Sequence, residues 1–136
     1  MKFIAALLAC VTAAAAQSIR IAAPVAGTHL SPGQSTVVEV TTPDFLSSSV
    51  EVAVAIGISP CSSGSCRSPS STLGNLLYSG PYQPQLEGAT RVQNFTVTVP
   101  SFIPQGQAII GVAHFALIGA SLQPWLETQN VSVVIQ

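Results

Sequence analysis

Charge is what this 136-residue chain has least of. Asp, Glu, Lys and Arg make up 7% of it, against about 25% in an average soluble protein. Its only lysine is Lys2, so Arg20, Arg67 and Arg91 stand against five acidic residues in the rest of the chain. No basic patch exists to hold nucleic acid or an anionic membrane surface. Asp44 is the only aspartate, and His29 and His114 are the only histidines. No Ser sits in a G-x-S-x-G elbow, so nothing marks a serine nucleophile. Aromatics are 6% of the chain and cysteines number three; Cys10 lies in the first apolar run, and the remaining pair is too few for a structural zinc site. Helix patterning with caps is missing throughout, and no internal repeat is visible.

The first sixteen residues are informative. Lys2 gives a charged start, residues 3–11 are apolar, and Ala14, Ala15 and Ala16 precede Gln17 as a small-residue cleavage site. That pattern is a secretory signal peptide, too short to span a bilayer. The expected organisation is a signal in 1–16 and a single domain in 17–136. The C-terminal end lacks the small residues, polar spacer and long hydrophobic tail of a lipid anchor. The expected destination is therefore extracellular, with no membrane attachment.

Cys10 leaves with the signal. Cys61 and Cys66 remain as an even pair in an oxidising compartment and are expected to join. The ring is small, and chain entropy gives it about 2 kcal/mol. Its role is to shape the loop around Gly64.

Short β-type runs separated by Pro, Gly and Ser clusters fill the rest. Strands are expected at 19–23, 36–42, 50–58, 76–78, 92–99, 107–118 and 130–135. The run at 50–58 has the clearest alternation. Val50, Val52, Val54, Ile56 and Ile58 fall on one face and Glu51, Ala53, Ala55 and Gly57 on the other. The run at 107–118 is apolar on both faces, so alternation does not mark its buried side. About seven strands in this order read as an all-β sandwich, immunoglobulin-like or fibronectin III-like. Asn94-Phe95-Thr96 and Asn130-Val131-Ser132 are N-glycosylation sequons. Asn94 falls on the outward face of its strand and Asn130 at the start of the last.

Ile21-Ala22-Ala23-Pro24-Val25-Ala26-Gly27-Thr28, Pro32-Gly33-Gln34 and Val37-Val38-Glu39-Val40 resemble the N-terminal Ig-like domain of fungal cell-wall glucan-assembly proteins. Pro104-Gln105-Gly106, Ala113-His114-Phe115, Ile118-Gly119-Ala120 and Leu126-Glu127 resemble small secreted proteins of mushroom-forming fungi whose activity is unassigned. The resemblance implies a sandwich in a fungal wall or matrix and brings no catalytic residues with it.

Catalytic chemistry has few carriers. A glycosidase needs two carboxylates across one bond. Glu39 and Glu51, both expected to point outward from different sheets, cannot cooperate, and Glu87 and Glu127 fall in expected loops. Asp44, in a Thr-Pro-Asp turn, is expected to cap local backbone. A copper polysaccharide oxidase needs an N-terminal histidine, and Gln17 is expected there instead. His29 reads as a solvated turn residue. His114 reads as a half-buried histidine satisfied by a neighbour, and a hydrolase would have to use it. Neither metal nor cofactor is expected.

The leading expectation is a secreted, non-enzymatic protein acting by binding or structure, its partners a cell-wall polysaccharide or another extracellular protein. A carbohydrate-binding module would stack sugars on Trp125 and Tyr82, with His114 as a further contact. Trp125 follows Pro124 in an expected loop, where such a residue also serves to plug the end of a core. Weak self-association is expected if Ile110, Val112 and Ala116 face outward beside Ala53 and Ala55, unless the cysteine loop folds over that face.

Overall fold

The computed structural model describes residues 18–44 and 48–136. The expected signal segment lies outside them. Among the described residues there is no helix, and nine strands form two facing sheets. They are β1 (Arg20–Ala23), β2 (Thr28–Leu30), β3 (Ser35–Pro43), β4 (Ser49–Pro60), β5 (Asn75–Pro81), β6 (Gln85–Glu87), β7 (Thr90–Thr98), β8 (Gly106–Ile118) and β9 (Gln123–Ile135). One sheet runs β1-β3-β7-β6 and the other β2-β9-β8-β4-β5. That order is the immunoglobulin arrangement, in which the second and fifth main strands of the chain share a sheet opposite the third and sixth.

All seven expected strands are present. The count rises to nine because β2 and β6, three residues each, are too short to show a period. β2 pairs in parallel with the end of β9, from Thr28 opposite Val133 to Leu30 opposite Ile135. β6 pairs with the start of β7. His29 therefore sits on a strand, exposed, with Nδ1 2.9 Å from Oε1 of Gln136. β9 begins at Gln123 rather than 130, so Trp125 and Glu127 are strand residues and not loop residues.

The core lies between the sheets. Val38, Val40, Phe95 and Val97 come from one side and Val54, Ile56, Ile58, Ile110, Val112 and Val133 from the other. This settles the apolar β8: Ile110, Val112, His114 and Ala116 point inward and are buried. The condition set for self-association, that Ile110, Val112 and Ala116 face outward, is therefore not met, because the opposing sheet needs that face to close the core. Tyr82 is also core, 1% exposed. Its backbone N–H donates to the carbonyl of Val52 on one sheet. Its hydroxyl lies 2.6 Å from the Thr42 hydroxyl on the other. A ring held this way ties the two sheets and shows no face to solvent.

The structure joins Cys61 to Cys66, and the loop that follows folds back over part of the outer face of β4 and β8. Contact there is close. A Cβ on Gly57 would stand 2.4 Å from the Leu73 carbonyl oxygen, and one on Gly111 would meet Pro69 and Leu73. Only glycine lets this loop lie flat on the sheet. We expect Gly57→Ala to lift it, at a cost of about 1–3 kcal/mol as for other overpacked sites. Urea unfolding measures this, and an unchanged midpoint would refute the packing role. Towards Phe115 the same face is half-exposed, with Ala53, Ala55, Ala113 and Phe115 partly buried and Leu126 exposed, side by side across three strands.

The backbone that Asp44 is expected to cap, residues 45–47, lies outside the described residues. The Asp44 carboxylate pairs with Arg91 at 2.9 Å across the ends of β3 and β7. The pair is exposed and contributes little. Asn94 and Asn130 are both exposed, as sugar attachment requires.

Candidate functional site

A charged cluster forms at the end of the sandwich where β4, β8 and β9 meet the start of β1. His114 is 2% exposed. Its Nδ1 lies 3.0 Å from Oε1 of Glu127, and its Nε2 bonds Oε2 of Glu51. Each carboxylate arrives by a distinct route. Glu127 stands directly opposite His114 in the β8–β9 register, so the two share a face by simple pairing. Glu51 arrives through a β-bulge. β4 pairs Glu51 with Ala116 but Ala53 with Phe115, leaving Val52 as an extra residue. One extra residue reverses the parity of everything before it. The bulge swings Glu51 inward onto His114 and swings Val50 outward. This corrects both the single-face reading of the valine run and the outward placement of Glu51.

The electrostatics follow from that geometry. Burial alone would push the His114 pKa down. Hydrogen bonds to Glu127 and Glu51, with their negative charges, outweigh it and raise the pKa to about 9. The ring is therefore an imidazolium near neutral pH, with both N–H groups donating. Burial pushes the Glu127 carboxyl up, but His114, the Ile19 N–H at 3.1 Å and Ser18 together hold it below the ordinary range. Tyr82 sits edge-on to the His114 ring at 5.2 Å between centroids. Its burial, opposed by the Thr42 hydrogen bond and reinforced by Glu51 and Glu127, raises its pKa to about 12.

Chemically this cluster is closed. No ring nitrogen of His114 is left to take a proton from a substrate, since both are bonded to carboxylates, and the Ser18 hydroxyl reaches Glu127 and not the ring. Among the described residues no three His, Cys, Asp or Glu side chains are arranged to hold a metal ion. Every buried side-chain nitrogen or oxygen among them has a partner. What the cluster does is bind three strands and the N-terminal segment to one another.

The other sequence candidates are dispersed. Trp125 pairs with Ala116 on β9 and is 48% exposed. Tyr82 is buried, so the two rings do not form a common stacking platform. Sequence reasoning missed the partnership of Glu51 and Glu127 with His114. A usable signal was present for two of the three: His114 and Glu51 lie inside apolar runs, where an ionisable side chain must find a partner, whereas Glu127 is followed by Thr128, Gln129 and Asn130 and carries no such mark.

Fold and cluster together define a small immunoglobulin-like sandwich whose interior charges serve the architecture. The sequence matches the Nis1 family over residues 14–134, and the chain belongs to that family. It is 28% identical over 135 residues to "Necrosis-inducing secreted protein 1" of Colletotrichum orbiculare, covering 98% of this chain and 80% of that one. To the protein of the same name from Colletotrichum higginsianum it is 33% identical over 100 residues, covering 71% and 64%. These matches support a small secreted fungal protein; they do not support the likeness to glucan-assembly domains. Among solved structures, the CooA pilin subunit of enterotoxigenic Escherichia coli aligns with 88% of this chain and 97% of its own. The TM-score is 0.33 at 10% identity, and that likeness carries no functional argument.

Proposed function

We propose that this protein is secreted, works outside the cell without catalysing a reaction, and induces necrosis as its Colletotrichum relatives are named for doing. It acts by contact. The observation that carries the reading is the closed state of the Glu51–His114–Glu127 cluster. The chain's most polar interior group is fully occupied with holding strands together, and activity is left to the surface. The target is an extracellular protein or a wall polysaccharide. For the polysaccharide, the half-exposed Trp125 ring supplies the stacking surface.

Purified protein applied to living tissue of a candidate host tests this, with the Colletotrichum proteins as positive controls. Cell death above a heat-denatured control is expected, saturating with dose as binding does. No response where the relatives are active overturns the reading. Retention on insoluble glucan, chitin or cellulose, lost in Trp125→Ala, would identify the polysaccharide target; passage through all three leaves a protein target.

A further inference from the structure

The unpaired side of β9 has the form of a strand-addition site. Pairing with β8 is continuous from Gly106 opposite Ile135 to Ile118 opposite Gln123, without a register shift. On its other side β9 meets β2 only from Val133 to Ile135. Among the described residues no strand covers the edge between 123 and 130.

The register also tells which backbone groups face outward. The N–H and C=O of one strand residue point to the same side, and the side alternates along the chain. The Ser132 carbonyl accepts from Gly27 N–H, and Gln136 N–H donates to the Leu30 carbonyl. Both contacts lie on the β2 side, so even-numbered residues of β9 aim their backbone at the edge. Leu126, Thr128 and Asn130 thus present N–H groups there, while Pro124 has none. Natural edges are guarded by lysine, proline, inward-pointing charge, bulges or covering loops. This stretch has no lysine and no bulge, and its one proline, Pro124, sits at the far end and leaves 125–130 without one. Its single charge, Glu127, is already held by His114 and the Ile19 N–H.

We propose that this edge pairs with the same edge of a second copy of the chain, antiparallel about a two-fold axis, joining two five-stranded sheets into one. The occupant that matches a row of unpaired edge groups is another extended backbone. A second copy fits because a two-fold contact brings like against like, and this edge with its outer neighbours Phe115 and Leu126 has no free charge to repel its image. The same absence of charge gives a charged partner nothing to match. Asn130 closes the edge, with its side chain on the outer face, so a glycan there hinders pairing and the unglycosylated chain associates more strongly.

Light scattering coupled to size exclusion, over a concentration series of the unglycosylated chain, provides the test. The mass should approach twice the monomer value. Thr128→Pro removes an edge N–H without touching the β8 pairing, a position where strands tolerate proline. It should weaken association at least about tenfold, while Thr128→Ala leaves it intact. Circular dichroism confirms that both variants are folded. Hydrogen exchange at Leu126, Thr128 and Asn130 should slow as concentration rises. A strict monomer at all concentrations overturns the proposal. So does a dimer unaffected by Thr128→Pro, or an edge already protected at high dilution.

Discussion

Replacing His114 with alanine should destabilise the protein by about 3–5 kcal/mol, the usual result of removing one partner from a buried ion pair. The loss is large because two carboxylates depend on the same ring. Without it, Glu51 and Glu127 face each other inside the sandwich with no cation between them. That loss is a large share of the 5–15 kcal/mol that holds a typical domain together, so the variant is expected to unfold at low urea or fail to accumulate. A second variant separates a lost charge partner from a lost side chain. With His114, Glu51 and Glu127 all changed to leucine, no charge remains to be stranded, and much of the stability should return. Urea unfolding followed by Trp125 fluorescence reads both. Equal losses in the single and triple variants would mean that the cluster contributes packing and not charge.

Raising the pH should weaken the fold on its own. His114 titrates near 9 in the folded protein, against an ordinary 6.5 when unfolded. A raised histidine contributes stability that is fully present below 6.5 and is lost as pH rises through 9. The gap between those two values corresponds to about 3 kcal/mol. On the acid side the sign reverses. The Glu127 carboxyl is held below its ordinary 4.5, so its contribution is present above that value and is lost as pH falls through its lowered one. Maximum stability is therefore expected between about pH 4.5 and 6.5. Thermal unfolding across pH 3–10 measures the profile, and His114→Gln should flatten its alkaline limb. A wild-type profile that stays level from pH 6 to 10 would contradict the paired imidazolium.

Local pattern was enough for the all-β class, because alternation of valine and polar residues at 36–42 and 92–99 reports a half-buried strand within the residues themselves. The Cys61–Cys66 pairing was legible for a similar reason, since two cysteines in a short loop have no other partner in reach. The parity of β4 was not legible. A bulge is one extra residue without a sequence mark of its own, and Val52 looks like any other valine in the run. The start of β9 was hidden because residues 123–126 are all exposed, and a strand without a buried face has no period to detect. The two apolar faces of β8 were distinguished only by what covers them: the opposing sheet on one side, and on the other a glycine-dependent loop carrying Leu73 and Pro69. Neighbours in the chain were enough to locate the seven longer strands, but not β2, β6 or the first half of β9. The tertiary structure alone decided that His114, Glu51 and Glu127 form one charged unit, because residues 51, 114 and 127 are brought together by hydrogen-bond register between strands, which no local pattern encodes.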